Sequence, residues 1–295
     1  MTTVGFVGLG IMGAPMAGNL VRAGYRVRGF DLAEKGPRSL LEAGGETAAS
    51  IAETVNGVDA VITMLPDWPQ VEAVTFGPEG VLENVKPRVL VIDMSTIRPQ
   101  TSRRIAEAGH TRGVRVLDAP VSGGEKGAVD GVLSIMVGGD ADDFESAKPL
   151  FDALGKTVVH VGPHGAGQTV KAANQLVVGG TYALVAEAIV LLEASGVDAG
   201  TGLDVLAGGL AASRILDLKR KTMVAREFAP GFRIDLHHKD MGIVLSAARE
   251  AEVALPTAAL VAQLISAARQ QGYGSLDHSA LLKVIESFSG RKASL

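Results

Sequence analysis

The chain has 295 residues, 47% of them hydrophobic, no cysteine and a formal net charge of -4. That length and apolar fraction suit two ordinary cores or one large one, while the acid excess, with no run of Lys or Arg, gives no electrostatic reason to bind nucleic acid or an anionic membrane. The charge balance makes a small molecule the expected partner, and without cysteine there are no disulfides, thiolate metal sites or thiol nucleophile.

In chain order, Met1-Thr2-Thr3 leads straight into an apolar segment with no basic stretch or cleavage site, so no export signal is expected and the cytoplasm is the default. Short β-branched runs then alternate with helical patterns. Strands are expected at Val4 to Val7, Arg26 to Phe30, Ala60 to Met64, Val89 to Asp93, Arg115 to Asp118, Ser134 to Val137 and Val158 to Val161. This is the pattern of a Rossmann-type, doubly wound α/β sheet. Helical spacing takes over beyond Gly162, at Thr169 to Ser195, Leu203 to Leu210, Ile215 to Arg226, Leu236 to Ala251, Pro256 to Gln271 and Ser279 to Ser287. The glycine- and proline-rich break near Gly162 to Gly167 marks the boundary, giving a dinucleotide-binding domain over 1–163 and an all-helical domain over 164–295 that begins with a long interdomain helix. The apolar stretch Ala172 to Ala186 reads as a buried helix, too short for a membrane span. The helical half, rich in Ala, Leu and Val on several faces, is expected to assemble as a homodimer or homotetramer.

The first strand ends in Gly8-Leu9-Gly10-Ile11-Met12-Gly13, a G-x-G-x-x-G turn opening a helix. Gly8 permits the turn, Gly10 lets the backbone approach a pyrophosphate, and Gly13 lets helix and strand pack closely. The next strand ends in Asp31, 18 residues after Gly13, where a carboxylate can accept hydrogen bonds from the adenosine ribose. A carboxylate there repels a 2'-phosphate, and Leu32 and Ala33 offer no cation, so NAD is favoured; Arg28 and Lys35 keep NADP as the alternative.

Asp118-Ala119-Pro120-Val121-Ser122-Gly123-Gly124 follows a strand at the edge where open α/β sheets bind ligands. The Ser122 hydroxyl with the N-H groups of Gly123 and Gly124 can hold a carboxylate, or the segment is a plain flexible turn. Lys171 and Asn174 lie one turn apart on an almost charge-free helix. A lysine in a partly desolvated cleft can protonate an alkoxide near neutrality, with Asn174 fixing its direction; the alternative is a solvated lysine beside a domain seam. Lys239 reads from spacing alone as an i,i+4 partner of Asp235, or else as a group reaching cofactor or substrate carboxylate. His237 and His238 cannot both face one ligand from a helix, so no metal site is expected. Trp68 walls a nicotinamide or substrate pocket, or packs.

Taken together, Gly5 to Ala17, Asp118 to Gly124, Gly165 to Asn174 and Lys239-Asp240 resemble the β-hydroxyacid dehydrogenase family over nearly the whole chain. The resemblance implies that the first motif binds a dinucleotide, the Ser-Gly-Gly loop binds substrate and Lys171 is the catalytic acid or base. It also makes Lys239 a site residue and places cofactor contacts on Leu65, Pro66 and Thr96. Within the family, Gly208 to Ser213, Pro230 to His237 and Asp277 to Leu281 look most like the branch that reduces tartronate semialdehyde to D-glycerate, although the branch oxidising 3-hydroxyisobutyrate shares every catalytic motif named. Relatives often carry Arg after the acidic ribose position, where this chain has Leu32. A silent dinucleotide-binding protein and an imine-reducing enzyme are rival readings, and the presence of Lys171 disfavours both.

Overall fold

The computed structural model describes residues 2–291, and the chain divides after Lys171 into two compact units. The first holds one sheet. Its strands are β1 (Thr3–Val7), β2 (Arg26–Phe30), β3 (Glu46–Thr47), β4 (Ala60–Thr63), β5 (Leu90–Asp93), β6 (Arg115–Asp118), β7 (Val121–Ser122), β8 (Leu133–Gly139) and β9 (Gly155–Gly162). The first six lie in the order β3-β2-β1-β4-β5-β6, every pair parallel, which is the arrangement of a doubly wound dinucleotide fold.

Two apolar cores explain why β4 and β5 are apolar at every position before their last residues, Thr63 and Asp93. Ile62, Ile92 and Leu117 enter one core with Phe6 and Met16, while their neighbours Val61, Val91 and Val116 enter another with Ile97 and Ile105. Side chains alternate across a strand, so a parallel sheet covered on both faces must be apolar at every position.

Beyond β6 the direction reverses. β8 runs antiparallel to β6 and β7, and β9 runs parallel to β8. β6 and β7 are one extended strand interrupted at Ala119-Pro120, because Leu117, Asp118, Val121 and Ser122 face Gly139, Gly138, Ile135 and Ser134 in unbroken step. Pro120 has no N-H for the ladder but its carbonyl accepts Met136 N at 3.0 Å. The consequence is positional: Ser122 stands four residues beyond Asp118 along the same edge.

The second unit is helical among the described residues. The helix Ala166–Ala194 starts in the first unit and continues into the second, followed by Ala199–Ala207, Arg214–Val224, Ile234–Glu250, Pro256–Ala268 and Leu281–Phe288. Helix Ala199–Ala207 begins earlier than spacing implied, since Asp198 caps it by accepting Thr201 N at 2.7 Å. The expected helix to Gln271 instead widens into a π turn at Arg269–Tyr273, with Gly272 in the left-handed region. By length and composition alone Ala166–Ala194 could cross a membrane. Its Tyr182, Ala183, Ala186, Ile189 and Val190 are nevertheless core residues of the helical unit.

Candidate active site

The turn after β1 is built by exclusion. Gly8 has φ 96°, and a Cβ on it would lie 2.3 Å from Met64 O; one on Gly13 would lie 1.9 Å from Gly8 O. Gly10 differs, because a Cβ there meets nothing within 4 Å. Its open side coincides with the N-H groups of Gly10, Ile11 and Met12, which precede helix Gly13–Arg22 and have no acceptor among the described residues. A pyrophosphate fits such a cradle. Asp31 ties the turn to β2, accepting Leu9 N at 2.6 Å and Ala33 N at 2.8 Å. Leu32 is exposed, and Arg28 is committed elsewhere, donating to Glu53 O at 2.9 Å and Asn56 O at 3.1 Å. Gly13→Ala is expected to weaken NADH binding roughly tenfold or more, through about 1–3 kcal/mol of overpacking. Fluorescence titration giving unchanged affinity would contradict this reading of the turn.

The ends of β4 and β5 carry the expected contacts Leu65, Pro66 and Thr96, which flank a buried polar network. Thr63 Oγ1 donates to Asp93 Oδ1 at 2.7 Å, Ser95 N donates to the same oxygen at 3.3 Å, and Leu65 N donates to Ser95 Oγ at 2.9 Å. Burial, with a contribution from the nearby Asp118, pushes the Asp93 carboxyl up to about 6, and its Oδ2 is buried without a hydrogen-bond partner among the described residues. Trp68 packs under the Arg98 guanidinium, 4.6 Å from the ring centroid.

Lys171 is positioned through Asp118. The Asp118 carboxylate accepts Gly165 N at 2.7 Å and Gln168 N at 3.0 Å, so a strand residue supplies the cap for helix Ala166–Ala194. Burial raises the Asp118 pKa from its usual range, opposed by these same N-H groups. Gln168, fully buried, accepts Ile97 N at 3.0 Å and donates to Ser95 O at 2.8 Å. The helix start approaches β8 closely, since a Cβ on Gly167 would sit 2.4 Å from Met136 O. One turn further on, Lys171 is 6% exposed and its Nζ donates to Val121 O at 2.7 Å. The solvated-lysine alternative therefore fails. The structure brings Lys171 to the residue preceding Ser122, and Gly123 and Gly124 follow with positive φ. Asp118 is visible in the sequence only as part of a motif and Gln168 not at all; their partners lie 47 to 73 residues away and leave no local signal.

In the helical unit, Asn174 Nδ2 donates to Gln175 Oε1 at 2.8 Å, and Gln175 Nε2 donates to Asp240 Oδ2. The other Asp240 oxygen pairs with Lys239 Nζ at 2.9 Å. Asp235 pairs with Arg269 at 2.8 Å, which corrects the i,i+4 partner that spacing assigned to Lys239. His237 is buried, its Nε2 3.2 Å from Gln175 O. Asn174 and Lys239 thus end the same chain of buried polar contacts, with Gln175 and Asp240 as links that sequence reasoning missed.

Residues 3–162 match the family described as the NAD binding domain of 6-phosphogluconate dehydrogenase, and residues 165–285 match that described as NAD-binding of NADP-dependent 3-hydroxyisobutyrate dehydrogenase. The chain is 41% identical over 291 residues to 2-hydroxy-3-oxopropionate reductase of Escherichia coli K12, covering 98% of this chain and 99% of that one. It is 38% identical to 3-hydroxyisobutyrate dehydrogenase of Pseudomonas aeruginosa, covering 96% and 98% respectively. A solved structure of Mycobacterium tuberculosis 3-hydroxyisobutyrate dehydrogenase with L-serine resembles it with a TM-score of 0.88 at 34% identity, over 97% of this chain and 99% of that one.

Proposed function

Because the chain belongs to the β-hydroxyacid dehydrogenase family, we propose that it reduces tartronate semialdehyde (2-hydroxy-3-oxopropionate) to D-glycerate, with Lys171 as general acid. The family is one of NAD(P)-dependent oxidoreductases. The observation that carries the mechanism is the buried Lys171 Nζ, held 2.7 Å from Val121 O beside the Ser122 loop. The substrate choice is supported by the 41% identity to the Escherichia coli reductase over nearly both chains.

A nicotinamide held by this site would supply hydride to the carbonyl carbon. As that bond forms, the carbonyl π pair moves onto oxygen and takes a proton from the Lys171 ammonium. The Val121 carbonyl accepts one of the three ammonium N-H groups and so fixes the direction of the rest of the group. Ser122 Oγ with the N-H groups of Gly123 and Gly124 holds the substrate carboxylate, Asn174 orients the substrate hydroxyl, and Lys239 contributes to cofactor or carboxylate binding. Gly8 to Gly13, Asp31, Leu65, Pro66 and Thr96 hold the dinucleotide. NAD is favoured over NADP because a carboxylate at Asp31 would repel a 2'-phosphate, Leu32 carries no charge and Arg28 is already engaged. The same reading places the protein in the cytoplasm as a homodimer or homotetramer.

The test is a panel of tartronate, methylmalonate and succinate semialdehydes, each with NADH and NADPH. The highest kcat/KM is expected for tartronate semialdehyde with NADH. Preference for methylmalonate semialdehyde would move the assignment to 3-hydroxyisobutyrate dehydrogenase. NADH binding without turnover of any semialdehyde would leave a silent dinucleotide-binding protein, and faster turnover of cyclic imines would replace the reaction.

A further inference from the structure

Thr96, which the reading above puts on the cofactor, sits inside a clasp. The peptide groups on its two sides both end on the side-chain amide of Gln168: Nε2 donates to Ser95 O at 2.8 Å and Oε1 accepts Ile97 N at 3.0 Å. Ser95, Ile97 and Gln168 are each fully buried, and Thr96 between them is half-buried. A planar amide carries its donor and acceptor on one rigid edge, so a single side chain fixes both peptide planes of Thr96 at once. The clasp reaches one strand further. Ser95 Oγ accepts Leu65 N at 2.9 Å, which ties the turn after β4 to the turn after β5.

Gln168 belongs to the helix that carries the proton donor. Lys171 is three residues on, on the same face and about 4.5 Å along the axis, and it too is buried. We propose that Gln168 is a positioning residue, whose amide sets the Thr96 turn in register with the Lys171 ammonium so that hydride and proton reach the same carbonyl group. The inference rests on the reading in which Thr96 holds the dinucleotide and Lys171 donates the proton. Asp118 of β6 caps the helix start, and Val121 O of β7 holds Nζ. Neither refers to β5, where the Thr96 turn begins. A lysine well placed against the Ser122 loop can still be misplaced against the cofactor, and the Gln168 amide is the contact that sets this third side. A hydrocarbon there would leave Ser95 O and Ile97 N without partners in a dry interior, a cost the turn relieves by moving.

Gln168→Leu nearly keeps the volume and loses both hydrogen bonds. It is expected to lower kcat about 10- to 100-fold, since a misplacement of about 1 Å in a reacting group can cost 10²-fold. The isotope effect on kcat with 4-deuterated NADH should rise, because hydride transfer becomes slower than product release. In a Lys171→Ala background the same change should add no more than about twofold, because Gln168 acts through the lysine. Gln168→Glu is a second probe. Protonated, the introduced carboxyl donates to Ser95 O and accepts from Ile97 N as the amide does; ionised, it repels Ser95 O. Burial and the neighbouring carboxyls, Asp118 on β6 and Asp93 on β5, raise its pKa, while Lys171 on its own helix and a charged His164 lower it. The kcat ratio of Gln168→Glu to wild type is therefore expected to climb as the pH falls, and titrations common to both proteins cancel in that ratio. Three results would overturn the inference: unchanged kcat and isotope effect in Gln168→Leu, a loss there that multiplies in full with that of Lys171→Ala, or a Gln168→Glu ratio flat in pH. Near-normal turnover of Lys171→Ala would instead remove the reading itself, and the inference with it. Should Gln168→Leu fail to fold by circular dichroism, the Gln168→Glu ratio decides alone.

Discussion

Lys171→Ala is expected to lower kcat by roughly 10² to 10⁴ while the protein folds and still binds NADH, since that is the usual worth of a positioned general acid. Two features make this more than a generic expectation. The side chain is buried, with its Nζ anchored on Val121 O, so the loss is of a placed donor and not of a surface charge. Its removal also leaves a channel the size of an alkyl ammonium, so added methylamine should restore part of kcat in the Ala variant and none in the wild type. A variant with near-normal turnover would take the lysine out of the mechanism. Normal kcat with a raised KM would demote it to a binding group.

How far the sequence reveals this protein depends on how local each cause is. All seven longer strands are present within a few residues of the expected bounds, and β1, β4, β5 and β6 are the most legible because they are buried at nearly every position. β3 and β7 are two residues each, too short for any period, and the Pro120 interruption hides that β7 continues β6. The antiparallel direction of β8 is also hidden, for its alternation of buried and half-buried residues reads alike in either direction. At the site, the Gly8 to Gly13 turn is legible because its glycines answer clashes within one turn and the adjoining strands. Lys171 is legible as a residue type, but its burial is not. That burial comes from Asp118 and Gln168, whose contacts join β5, β6 and the long helix across 47 to 73 residues.

That anchoring leads to the second large effect. Asp118→Ala removes the acceptor from two buried N-H groups, those of Gly165 and Gln168, at the helix start. Leaving a buried donor unsatisfied costs about 1–3 kcal/mol, so for two donors a total of roughly 3 kcal/mol is expected, or about 6–12 °C in Tm for a protein of this size. Activity should fall further than stability alone explains. Lys171 lies one turn beyond Gln168, and a misplacement of about 1 Å in a reacting group can cost 10²-fold. Asp118 is a positioning residue, so its signature differs from that of the lysine: kcat drops with the NADH affinity nearly unchanged, and methylamine gives no rescue because Lys171 still occupies its own space. Asp118→Asn keeps one acceptor oxygen and is expected to fall between wild type and Asp118→Ala in both Tm and kcat. If Asp118→Ala melts lower but turns over normally at a temperature where it is folded, the cap stabilises the helix without placing the lysine, and the link from β6 to the proton donor is broken.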